Sequence, residues 1–99
     1  MKPIFFPSHY KKAILDNKKN MTLRVKSEIG KYKKGQTYRA KSYAGTDWKV
    51  DIKVLDVIKT SLSKLSDFGI PKSSIDLIRK KEKLKNNSPV ELIKFKVVK

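Results

Sequence analysis

Apolar and polar residues alternate along several stretches of this chain, and each alternation predicts a strand with one face in a core. Met21, Leu23 and Val25 alternate with Thr22, Arg24 and Lys26. In a strand over about Gln36 to Tyr43, Tyr38 and Ala40 point inward, and Thr37, Arg39 and Lys41 outward. The longest stretch runs from Trp48 to Lys59, where Trp48, Val50, Ile52 and Val54 alternate with Lys49, Asp51 and Lys53. The phase then slips by one residue, so that Leu55 and Val57 become the apolar positions. Such a slip predicts a β-bulge near Val54 to Asp56. A final strand covers Val90 to Val98, with Ile93, Phe95 and Val97 inward, and Pro3 to Pro7 bracket a short first strand.

Between these strands the spacing turns helical. Tyr10, Ala13 and Ile14 form a narrow stripe, with Ser8 as the N-cap and Asn17 as the left-handed residue that ends the helix. Thr60 or Ser61 caps a short turn carrying Leu62 and Leu65, which Phe68-Gly69-Ile70-Pro71 breaks. Ser73 or Ser74 caps a second helix with Ile75 and Ile78 on one stripe and Leu77 beside it. Its basic end, Arg79 to Lys83, suits the helix dipole. Gly30, Lys33-Lys34-Gly35, Ala44 to Asp47 and Asn86 to Pro89 read as loops and turns. The fold predicted is α+β, mainly β: about five or six strands closed or nearly closed into a small barrel, with two or three short flanking helices. At 99 residues the chain makes a single domain, 1–99.

Composition narrows the chemistry. There is no cysteine, which excludes disulfides, thiolate metal sites and a thiol nucleophile. One histidine, His9, builds no metal site alone and is read as a surface residue, so neither metal nor cofactor is expected. No apolar run is long enough for a membrane span, and the first apolar segment is too short for a signal peptide, so a cytoplasmic protein is expected. The net charge is +16, from 25 basic and nine acidic residues. A lysine-biased genome accounts for part of the excess but not for the scarcity of acids. A polyanion is the simplest partner, since phosphate contacts release counterions. Only Arg24, Arg39 and Arg79 are arginines. Lysine grips phosphate as a flexible point charge and reads planar edges poorly, which favours affinity over base-specific readout.

The best candidate site is the turn Lys18-Lys19 followed by Thr22 and Arg24. Lysine crowded by like charge has its ammonium disfavoured, which suits a base or nucleophile and equally a phosphate grip. The plain alternative makes Lys18 and Lys19 solvated turn residues and gives Arg24 a cross-strand ion pair with a residue such as Asp51. Tyr43 shares the outward phase of Arg39 and Lys41, so it is the better aromatic for stacking on a base, while Trp48 belongs to the core. The run Arg79 to Lys85 reads as a solvated helix face that widens a basic surface.

The stretch Ala13-Ile14-Leu15-Asp16-Asn17-Lys18-Lys19-Asn20-Met21-Thr22-Leu23-Arg24 resembles the ASCH family of PUA-like barrels, whose pattern is Ile-Leu-x-Gly-basic-Lys-Thr-x-Thr-x-Arg. Tyr32-Lys33-Lys34-Gly35-Gln36 is similar to the family's Lys-x-Gly-Asp before a strand, and Val90-Glu91-Leu92-Ile93-Lys94-Phe95 to its apolar last strand. Asn17, Asn20 and Gln36 depart from the family's Gly, Thr and Asp. The resemblance implies RNA or modified nucleotides as ligands. The expected function is therefore RNA binding through Lys18, Lys19, Thr22, Arg24, Lys26, Arg39, Lys41 and Tyr43. RNA is the expected partner, DNA a lesser one, and the chain is expected to be a monomer. The alternative that the resemblance implies is a hydrolase, an N4-acetylcytidine amidohydrolase using lysine, threonine and glutamate, or a ribonuclease. Lys19 and Thr22 match the first two positions, and Asp67 would stand in for the glutamate. A third class is a basic scaffold that coats nucleic acid without specificity.

Overall fold

The computed structural model describes residues 2–98. The strands are β1, Pro3–Phe6; β2, Met21–Val25; β3, Thr37–Ser42; β4, Asp47–Ser61; and β5, Pro89–Val98. The helices are α1, Lys11–Leu15, and α2, Lys72–Glu82, with single 3-10 segments at Ser8–Tyr10, Lys26–Glu28 and Leu62–Phe68. The class is α+β, mainly β. The strands form one five-stranded sheet in the order β1-β3-β4-β5-β2. β1 runs parallel to β3, and every other pairing is antiparallel.

The expected slip in β4 is present. Val54 pairs with Phe95, but Asp56 pairs with Lys94, so Leu55 has no partner of its own. The bulge turns Leu55 outward, 44% exposed, against its expected inward position. Val57 returns to the core and Ile58 packs on the opposite face of the sheet. One extra residue thus gives the second half of β4 two useful faces.

Two apolar clusters result. The first gathers Ile4, Phe6, Ile14, Tyr38, Ala40, Trp48, Val50, Ile52, Val54, Ile93 and Phe95 on the inner face. The second sets Leu62, Leu65 and Ile75 against Val90 and Leu92, joined by Met21, Leu23, Val25 and Ile78. β5 is buried on both faces where α2 covers it, which explains its nearly continuous apolar run. Leu77 faces solvent instead, 67% exposed. No described helix is long and apolar enough to cross a membrane.

The sheet does not close into the expected barrel. β1 and β2 stand at its two edges with no ladder between them among the described residues. A side chain spans the gap: Arg24 of β2 donates from Nη2 to the carbonyl of Phe5 in β1 at 2.8 Å. Its guanidinium carbon lies 5.5 Å from the Phe6 ring centroid and 5.3 Å from that of Tyr32. Arg24 is only 5% exposed, the most enclosed residue of its strand. The face of β2 that looks polar in sequence is therefore the more buried one. Arg24 also pairs at 3.9 Å with Glu28, four residues on, rather than with Asp51.

Replacing Arg24 with methionine keeps the bulk but removes this bridge. It leaves a partly buried carbonyl without its donor and loses two cation–π contacts, a destabilisation of about 2–4 kcal/mol. Urea unfolding of Arg24→Met should show that loss. A change within about 0.5 kcal/mol, the range of an ordinary surface substitution, would mean that the bridge is dispensable.

Candidate functional site

The site begins with the end of α1. Asn17 adopts φ 60°, the left-handed conformation expected of it. The N–H of Asn17 donates to the Ile14 carbonyl at 3.1 Å, and that of Lys18 to the Ala13 carbonyl at 2.8 Å. This pair of reversed bonds satisfies carbonyls that the helix end leaves open. The N–H of Lys19 also donates to Ala13, at 2.9 Å, so the turn is pinned before β2 starts. Lys18 is left exposed and Lys19 half-buried. Ser8 supplies no cap hydrogen bond, and the helix beyond its 3-10 start is one short turn.

Lys19 is held at both ends. Its Nζ donates to the Met21 carbonyl at 3.0 Å and lies 4.4 Å from the Tyr10 ring centroid. Burial, and then the nearby Arg24 charge, hold its ammonium below the ordinary lysine value of 10.5. Thr22 and Arg24 project from the same face of β2. Lys19, Thr22, Arg24 and Tyr43 converge on one cleft of about 310 Å³, completed by Phe5, Tyr10, Lys81 and Glu82 among others. Tyr43 is 67% exposed at its edge and stacks on Phe5, with ring centroids 6.2 Å apart. The cleft thus combines cations, a hydroxyl without a hydrogen-bond partner among the described residues, one carboxylate and an open aromatic face. No group of His, Asp and Glu among the described residues is arranged to hold a metal.

The other expected site residues lie elsewhere. Lys18, Lys26, Arg39 and Lys41 do not line the cleft. Lys26 is exposed at φ 53°. Arg39 is engaged by Asp51 at 2.6 Å and Asp47 at 3.3 Å, so the cross-strand pair that the plain alternative gave to Arg24 belongs to Arg39. Asp67 is exposed in the 3-10 segment before α2, away from the cleft. The carboxylate that reaches it is Glu82, the last residue of α2. Glu82 lies four positions after Ile78, on the stripe that packs toward β2. It interrupts a run of cations, and both signals were present in the sequence.

No family model matches the sequence, and no curated protein matches it. Solved structures do. The ASCH domain from Lactobacillus crispatus superposes with a TM-score of 0.63 at 14% identity, over 97% of this chain and 78% of that one. A variant ASCH protein from Zymomonas mobilis gives 0.65 at 10% identity, over 95% and 67%. The fold is that of an ASCH domain. A protein of Enterococcus faecalis superposes on this chain with a TM-score of 0.72 at 13% identity, over 99% and 81%. At these identities the likeness concerns the fold alone.

The lowered Lys19 value sets a pH signature. Below its folded value the Lys19 ammonium is charged but disfavoured by burial and by Arg24, and the shift is a standing cost. As pH rises past the folded value toward 10.5, the unfolded chain still holds the proton that the folded one has released, so stability rises with pH. In a ¹³Cε NMR titration Lys19 should lose its proton before the other lysines, and Lys19→Met should remove its share of the rise. A common midpoint for all lysines would refute the assignment.

Proposed function

We propose that this chain is an RNA-binding module of the ASCH, PUA-like type, whose cleft takes one nucleotide. The observation that carries this reading is the exposed Tyr43 ring at the edge of a cleft floored by Lys19 and Arg24. A base stacks on Tyr43, and stacking tolerates any base because every base has a π-face. Lys19 and Lys81 receive the phosphate or sugar edge. Arg24 contributes its charge from a fixed position, since its donors are turned toward Phe5 and Glu28. All three arginines are engaged in this way: Arg39 with Asp51 and Asp47, and Arg79 with Asp76. The cations left for a polyanion are therefore lysines, including Lys18, Lys26 and Lys41 along the flanks. They favour a salt-sensitive grip with little base readout.

One observation favours a second reading, hydrolysis of an amide on a modified nucleoside such as N4-acetylcytidine. Lys19, Thr22 and Glu82 line the same cleft and are the three residue types the family resemblance calls for. Glu82 takes the part expected of Asp67. A carboxylate in the last turn of a helix opposes the dipole at about 0.3–1 kcal/mol, so its presence there asks for a reason beyond stability. In this reading Lys19, less firmly protonated than a free lysine, is the base, and Thr22 is its partner. RNA cleavage by the same groups is the other form of the hydrolase reading.

Fluorescence polarisation with a short single-stranded RNA tests the first reading. Binding should weaken steeply with salt, and Tyr43→Ala should cost about 1–3 kcal/mol of affinity with the fold unchanged. No binding even at low salt would end it. Turnover of N4-acetylcytidine that Glu82→Gln abolishes, with RNA affinity retained, would establish the second.

A further inference from the structure

A second cavity, of about 400 Å³, shares no lining residue with the cleft. Glu91 of β5 lines it and is 1% exposed. Its Oε1 accepts from the Gly30 N–H at 2.9 Å. Among the described residues the carboxylate makes no other hydrogen bond and no ion pair. Arg24 is its cross-strand partner in the ladder, but the guanidinium is committed to the Phe5 carbonyl. A buried carboxylate offers about four acceptor positions, and an enclosed charge is costly unless donors meet it. Gly30 meets one.

The rim carries the opposite sign. Lys33, Lys34 and Lys59 line the mouth, with Val57 as an apolar wall. Lys59 is the direct cross-strand neighbour of Glu91, yet it is exposed and forms no ion pair with it. Cations at the rim disfavour a cationic guest. The matching ligand therefore presents neutral N–H donors to the floor and negative charge to the mouth. A nucleotide has that polarity. Among the common bases only guanine offers two adjacent N–H donors on its pairing edge, which a single carboxylate accepts together.

We propose that the Glu91 cavity is a second nucleotide subsite, selective for guanine. Glu91 accepts from the base edge, and Lys33, Lys34 and Lys59 meet the phosphate. The subsite supplies the base readout that the lysine-dominated surface and the stacking ring do not. It extends the RNA-binding reading but stands on different residues, so either can fail alone.

The test is an NMR titration of the whole chain with GMP, AMP, CMP and UMP in turn. GMP should shift the Gly30 and Val57 amides with at least tenfold tighter binding than the other three. Glu91→Gln keeps an acceptor for Gly30 but replaces one carboxylate oxygen with a donor. It should leave the fold intact and bring GMP down to the level of AMP. Lys59→Ala should weaken all four nucleotides alike. Equal shifts by the four nucleotides, or unmoved Gly30 and Val57 amides at millimolar GMP, would overturn the proposal. So would Glu91→Gln that keeps the guanine preference. Shifts at Thr22 and Tyr43 report the cleft separately, so its failure is distinguishable from that of the subsite.

Discussion

The fold depends on one side chain that does the work of a strand pairing. A five-stranded sheet of this order leaves β1 and β2 at opposite edges, and the inner cluster would be open along that seam. Arg24 crosses it with a single hydrogen bond to the Phe5 carbonyl, flanked by the Phe6 and Tyr32 rings. A guanidinium is suited to the task because it is weakly hydrated, stacks on aromatic faces and carries donors on a planar fork. The same placement puts a fixed positive charge beside Lys19. Its Nε is buried without a partner, a cost that the bond and the rings offset.

The seam explains where the cleft lies. Where β1 and β2 are joined only by Arg24, space remains beside it, walled by Lys19, Thr22 and Tyr43. The Glu91 cavity has another origin. Val57, Lys59 and Glu91 stand on the paired strands β4 and β5, and the loop residues Gly30, Tyr32, Lys33 and Lys34 complete the walls.

Much of this was legible in the sequence, because period-two alternation survives wherever one sheet face is buried. The strand positions, the bulge between Val54 and Asp56, the left-handed Asn17, the buried Trp48 and the exposed Tyr43 all follow from local pattern and turn chemistry. The rest was not legible, because side-chain direction beyond the strand face is set by tertiary partners. Leu55 was read as inward, but the bulge residue itself points out. The ion pair with Asp51, the plain alternative to a site role for Arg24, belongs to Arg39. Glu82 lines the cleft and Asp67 does not, and no local pattern says which late carboxylate reaches it. A strand count favours a closed or nearly closed barrel, but a count says nothing about which edges meet.

The two unjoined edges have a consequence for the protein in company. β1 and β2 are short, four and five residues, yet each presents backbone groups that another copy's strand could meet. Copies carrying +16 apiece repel one another long before such contact. If the chain binds RNA as proposed, the polyanion neutralises that repulsion and crowds several copies along one strand. It would then also lower the barrier to edge-to-edge assembly, and solubility would be tied to how much of the chain's charge is left uncovered.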